Sequence, residues 1–137
     1  MINLQHRSLQ KELLDAEGIP FADIKKNMQE LDTINRLLGG HAITLKGISA
    51  FLNPSTQTIS VCEIGCGGGD NLRAIKKFCD QKKSRVQLTG IDLKKECIDF
   101  AKERNTSLEA NWICSDYRLI HFKKNGPDII FSSLFCH

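Results

Sequence analysis

The sequence predicts an α/β fold built on an open parallel sheet, and three observations predict it. Short apolar runs at 59–64, 86–91, 110–114 and 128–133 alternate with stretches of helical periodicity. The first run ends in glycines at 65, 67, 68 and 69, which reads as strand, tight turn, helix. The second and third runs end in acids, Asp92 and Asp116. In an open parallel sheet such ends lie side by side, where ligands bind.

Residues 1–19 are mixed, and Gly18 breaks whatever short turn forms around 12–15. Pro20 suits the first turn of a helix. Phe21, Ile24, Met28, Leu31, Ile34, Leu37 and Leu38 then recur at spacings of three and four, a helical stripe ended by Gly39-Gly40. A second helix is expected over about 41–52, with Ile43, Leu45, Ile48 and Phe51 apolar, stopped by Asn53-Pro54-Ser55. The chain thus divides into an N-terminal helical lid or cap, 1–55, and a ligand-binding domain, 56–137. The two helices either cover one end of the sheet or close over the glycine turn. In the second case Asn35 and Gly39-Gly40 face the ligand.

Strand 1 covers 59–64. The helix over 70–80 carries Leu72, Ile75 and Phe78 on one face, and strand 2 covers 86–91. A helix over about 94–105 buries Ile98 and Ala101, and strand 3 covers 110–114. The crossover at 117–126 has no helical stripe and is expected to be irregular. Gly126-Pro127 introduces strand 4, 128–133. Right-handed crossovers follow from the parallel sheet.

The 137 residues suit one domain with a moderate core. Hydrophobic content of 41% and charged content of 26% are ordinary for a globular protein. A net charge of +3, with lysine pairs scattered along the chain, implies neither a nucleic-acid nor a membrane partner. No apolar run is long enough to span a membrane, and the polar N-terminus lacks the apolar centre of a signal peptide. The six cysteines include no Cys-x-x-Cys pair. Reduced, mostly buried thiols in a cytoplasmic protein are expected, with no metal site.

The strand ends supply a consistent chemistry. The glycine turn admits a ligand where a Cβ would block it, and the following helix offers free N–H groups. Asp92 can accept hydrogen bonds from both hydroxyls of a ribose. Ser115-Asp116 can accept from an exocyclic amine such as adenine N6. Ser132-Ser133 lies beside the turn if strand 4 neighbours strand 1. Together these describe a nucleoside-containing ligand. A dinucleotide fingerprint started at Gly65 would need glycine at 70, where Asp70 opposes a pyrophosphate. Plainer roles stay open for each acid. Glu63 also suits a salt-bridged strand-end acid, Asp92 an N-cap, and Asp116 a turn former. Cys66, inside the glycine loop, reads as a small residue fitted to a tight turn rather than a nucleophile.

Glu63-x-Gly65-x-Gly67-x-Gly69 resembles the first motif of the class I S-adenosylmethionine-dependent methyltransferases, acidic-x-Gly-x-Gly-x-Gly, at all four positions. Asp92 and Asp116 match the ribose and adenine-side acids. The segment 128–137 is similar to the fourth motif of small-molecule members, including those of ubiquinone and menaquinone biosynthesis. The leader, with Asn35 and Leu38-Gly39-Gly40, is similar to bacterial methyltransferases associated with polyketide pathways. The resemblance implies a Rossmann-like three-layer sandwich with strand order 3-2-1-4, preceded by two helices. Its relatives carry seven strands, so the C-terminal strands are missing and the chain reads as truncated after strand 4.

The resemblance also implies a cofactor, S-adenosyl-L-methionine, and a set of cofactor-binding residues: Glu63, Gly65, Cys66, Gly67, Gly69, Asp92, Leu93, Ser115, Asp116 and Ser132. Glu63 organises the turn and reaches the cofactor amino group through water. Gly65 and Gly67 pass close to the methionine moiety, and Asp92 holds the ribose. Asp116 with Ser115 lies near adenine, and Ser132 offers a backbone carbonyl to the ammonium. The acceptor is a small molecule, methylated at oxygen or carbon, with His137 as the candidate base. The Asp/Asn-Pro-Pro-aromatic motif of base-methylating relatives is absent, which argues against nucleic acid. An uncovered strand 4 edge suggests a homodimer or a fragment that binds cofactor without turnover. Two further readings stay open: a non-catalytic binding or assembly module, and a nicotinamide-dependent oxidoreductase.

Overall fold

A computed structural model of the chain describes residues 18–52 and 57–133. Two helices, α1 (Phe21–Leu38) and α2 (Gly40–Ser49), precede an alternating series. It runs β1 (Ile59–Ile64), α3 (Asp70–Gln81), β2 (Val86–Asp92), α4 (Lys95–Arg104), β3 (Ala110–Cys114) and β4 (Ile129–Phe131). The four strands form one sheet in the order β3-β2-β1-β4, parallel throughout. This is the strand order expected from the sequence. Ile59 pairs with Val86 and Leu88 with Ala110, which brings the C-terminal ends of β1, β2 and β3 level. From β1 to β2 to β3 the chain steps in one direction, so right-handed crossovers set α3 and α4 on the same face.

Val61 and Leu88 of the sheet pack with Leu72, Ile75 and Cys79 of α3 and Ile98 of α4. Leu72 and Ile75 are fully buried, as their helical spacing predicts. Trp112 on β3 fixes how close the layers come. A Cβ at Gly69 would lie 2.5 Å from its ring, and one at Gly90 2.9 Å. Both glycines therefore serve the packing of an indole across the sheet.

Several boundaries differ from expectation for identifiable reasons. The helix expected over 41–52 ends at Ser49, whose hydroxyl donates to the Lys46 carbonyl within the last turn. The strand expected over 128–133 forms only at Ile129–Phe131. The Asp128 carboxylate accepts from both the backbone N–H and the hydroxyl of Ser60, so a side chain takes the place of a ladder bond. The 117–126 crossover is irregular, as expected, apart from a 3-10 turn at Tyr117–Leu119.

The stripe on α1 marks a helix but not its buried face. Leu37 and Leu38 are each 80% exposed, while Asp32 is the buried residue of the helix. The helix docks through Asp32, which accepts from Arg104 of α4 at 2.9 Å, and through Phe21 and Lys25 against the Phe100 ring. No helix among the described residues is long and apolar enough to cross a membrane.

Gly69 also has φ +76°, a left-handed backbone. Gly69→Ala is expected to lower stability by about 2–4 kcal/mol from overpacking plus backbone strain. Urea unfolding checks this, and adding Trp112→Leu should recover the packing part alone.

Candidate cofactor site at the strand tips

The turn after β1 is held by β2. The N–H groups of Gly65 and Cys66 both donate to the Ile91 carbonyl, at 2.8 and 3.0 Å. The Gly67 N–H donates to Asp92 Oδ2 at 2.9 Å, and the Lys94 N–H to Asp92 Oδ1 at 3.0 Å. One carboxylate thus ties the glycine loop to the start of α4. Its two oxygens offer about four acceptor positions, so capacity remains for further donors. The Asp92 carbonyl accepts from the Ser115 N–H at 3.0 Å, which carries the alignment on to β3.

These bonds enclose an open pocket over the tips of β1, β2 and β3. Gly65, Asp92, Leu93, Ser115 and Asp116 line it, over Ile64 and Ile91. Five of the predicted residues therefore meet in one place. Tyr117 and Arg118 complete the rim and were not anticipated. Arg118 pairs with Asp116 through its side chain and donates its backbone N–H to the same carboxylate at 2.9 Å. Those bonds hold the Asp116 carboxyl down at about 2, so it is ionised throughout the neutral range.

The other predicted residues lie elsewhere. Cys66 is buried with its sulfur toward Gly90 rather than the pocket. Burial, with Asp92 and Glu63 near, pushes its thiol far above the ordinary thiol range, which is not the setting of a nucleophile. Gly67 faces α1, where Met28 Sδ lies 3.7 Å from the position of a Cβ. Gly69 faces Trp112 and Asn105. Ser132 is exposed, and its neighbour Ser133 makes the polar contacts. Asn35 packs on Gly40 within the α1–α2 corner. His137 lies outside the described residues.

Glu63 is 1% exposed at the end of β1. Its Oε1 accepts from Asn71 Nδ2 at 2.8 Å and from the Ser133 hydroxyl at 3.3 Å. Its Oε2 is buried with no hydrogen-bond partner among the described residues. Burial pushes this carboxyl up to about 8, helped by Asp70 and Asp92 and opposed by the bonds from Asn71 and Ser133. Asn71 carried no signal in the sequence beyond its place in the first turn of α3. Four of the described cysteines are buried and Cys114 is exposed, all with free thiols.

Residues 61–137 match the methyltransferase domain family. The chain belongs to this family. No curated protein matches it. Among solved structures it is similar to the plantazolicin methyltransferase BpumL in complex with SAH, with 28% identity over 81% of this chain and 40% of that one, at a TM-score of 0.58. BpumL with a monoazolic desmethylPZN analog and SAH gives 29% identity over 80% of this chain and 39% of that one, at 0.57. A SAM dependent methyltransferase from Aquifex aeolicus gives 22% identity over 83% of this chain and 56% of that one, at 0.55, and shows the fold. The chain thus spans well under two thirds of the length of these methyltransferases. The class I resemblance drawn from the glycine motif agrees with the family.

Folding raises the Glu63 carboxyl from the ordinary 4.5 to about 8, so the folded chain holds a proton that the unfolded chain has lost between those values. The stability tied to this proton is full below about 4.5 and is lost as pH rises through 8. Thermal denaturation of Glu63→Gln should therefore match the parent near pH 4 and exceed it near pH 9.

Proposed function

We propose that the chain binds S-adenosylmethionine across the tips of β1, β2 and β3 and serves as the cofactor-binding portion of a methyltransferase. The observation that carries this reading is the meeting of Gly65, Asp92, Leu93, Ser115 and Asp116 in one pocket. Asp92, with acceptor capacity beyond its two backbone bonds, would hold the ribose hydroxyls. Asp116 and Ser115 would hold the adenine amine, with Leu93 beside them. Glu63 would face the amino group of the methionine end. Its orphaned buried oxygen, beside a turn free of side chains at Gly65 and Gly67, fits a cationic partner. The Ser132 carbonyl would add an acceptor there.

Bound in this way, the cofactor supplies a methyl group already activated on a sulfonium, so the chain's task is alignment and exclusion of water. The helices of the N-terminal lid or cap, within 1–55, contribute Met28 over the glycine loop of the 56–137 domain. That contact supports a covering role for α1. We assign the acceptor to the small-molecule class, methylated at oxygen or carbon, with His137 as the base. The similarity to the plantazolicin methyltransferase supports this class. Among the described residues β4 pairs with β1 alone, which supports pairing of its other edge with a second copy.

Isothermal titration with S-adenosylhomocysteine tests the cofactor reading. Binding in the micromolar range is expected, weakened at least about tenfold in Asp92→Asn, or ~1.4 kcal/mol. Absence of heat at high micromolar ligand, with the fold intact by circular dichroism, would overturn it.

A further inference from the structure

A hydrogen-bonded chain runs from the glycine loop to the cap. Asn71 Nδ2 donates to Glu63 Oε1 at 2.8 Å and to Ser133 Oγ at 2.8 Å. Asn71 Oδ1 faces His41 Nδ1 at 2.6 Å, and His41 Nε2 faces Asp32 Oδ1 at 3.1 Å. The four residues come from β1, α3, α2 and α1. Both ends are dry, with Glu63 at 1% and Asp32 at 3% exposure.

The hydrogens on this chain have two consistent arrangements on the same heavy-atom positions. In one, Asn71 donates to an ionised Glu63, and the His41 ring carries a hydrogen on each nitrogen, one toward Asn71 and one toward Asp32. In the other, the Asn71 amide is turned over. Protonated Glu63 then donates to the amide oxygen, the amide nitrogen donates to a bare His41 Nδ1, and only Nε2 carries a hydrogen. An amide has one donor end and one acceptor end, so reversing it reverses what each neighbour must supply. The arrangements differ by one proton, lost from Glu63 and gained by His41. With Asp32 ionised, the four groups together carry the same net charge in both.

We propose that His41 and Asn71 are positioning residues, the Asn71 amide coupling loss of a proton at Glu63 to gain of one at His41 by the way it faces, so that a cationic group arriving at Glu63 leaves His41 charged against Asp32. The inference rests on the reading that Glu63 receives the cofactor's amino group. Without that cation, burial favours the neutral carboxyl at Glu63. With it, the carboxylate gains a partner at the orphaned Oε2, and the displaced proton has a partly buried acceptor one amide away. The charges around both ends bear on the balance. Asp70 and Asp92 act on Glu63 and favour its neutral form. Arg36, Arg73 and Arg104 share Asp32 with His41, at 4.0, 3.8 and 2.9 Å. Against the opposing effect of burial, the His41 bond and the attraction of Arg104 and Arg73 hold the Asp32 carboxyl below its ordinary range, which keeps an anion in place for the ring. Cofactor binding thereby strengthens the bond that joins α2 to α1.

Proton accounting tests this on the full chain without any turnover. Titration calorimetry with S-adenosylhomocysteine at pH 7, repeated in phosphate and Tris, reads protons exchanged from the difference in heat. The parent should exchange none, because Glu63 passes its proton to His41. In His41→Ala that proton must leave for solvent. Close to one proton should then be released per ligand, and affinity should fall roughly tenfold at pH 7, one unit below the Glu63 value, recovering above pH 8. His41→Gln keeps an amide against Asn71 but takes up no proton, so it should behave alike even if the alanine variant folds poorly. Methylthioadenosine, which lacks the amino-acid end, should bind all three proteins equally. Proton release by the parent, or none from either variant, would overturn the proposal. So would equal losses for both ligands, which mark a merely structural role. Failure of the folded parent to bind S-adenosylhomocysteine at all would instead overturn the cofactor reading, and this inference with it.

Discussion

The constraint on which the site depends is a carboxylate that cannot reach water. Glu63 ends β1 with its side chain buried, so its neighbours must satisfy it or accept its protonation. Asn71 meets one oxygen because α3 begins directly after the glycine loop, and Ser133 meets the same oxygen because β4 lies beside β1. The order β2-β1-β4 is therefore a condition for that bonding as well as a consequence of hydrophobic pairing. The other oxygen is left without a protein partner among the described residues. A buried acceptor left open costs stability on the order of 1–3 kcal/mol, and such sites recur where a ligand supplies the missing donor.

Asp92 resolves the complementary problem. A loop of glycines has many conformations in the unfolded chain and a high entropy of ordering. The carboxylate at the end of β2 offsets that cost by fixing the Gly67 N–H and the start of α4 together. The same residue thus braces the turn before α4 and forms a pocket wall. The N-cap position weighed for it from the sequence falls to Lys94 instead, and the carboxylate keeps more acceptor positions than its two backbone bonds use.

Strand and helix periodicity made the α/β alternation and the strand tips legible, because burial of β1, α3 and β2 imposes a regular apolar pattern. Gly65, Asp92, Leu93, Ser115 and Asp116 were legible because strand ends converge whatever the loops do. The purpose of individual glycines was not. Gly69 is enforced by Trp112, a residue of β3 whose ring arrives through tertiary packing. The face by which α1 docks was also hidden. Its apolar stripe contributes Phe21 and Met28 to the contact, yet the helix's buried residue is Asp32, bonded to Arg104, 72 residues away. His41 and Asn71 gave no local signal, since each matters through a partner on another element.

The two parts of the chain are consequently attached by different physics. The sheet, α3 and α4 are joined by Val61, Leu72, Ile75, Leu88 and Ile98, an apolar core indifferent to protonation. Helices α1 and α2 are joined to α3 and α4 in large part by Asp32, His41, Asn71, Asp70, Arg73 and Arg104, whose strength depends on which groups are charged. Apolar contact between Ile48 and the core anchors α2, while Leu37 and Ile43 remain exposed. Asp32 at the centre of this cluster is buried, while Arg73 and Arg104 are partly exposed and remain open to screening by salt. The joint of α1 to α3 and α4 thus responds to charge, whereas the joint of α3 and α4 to the sheet does not.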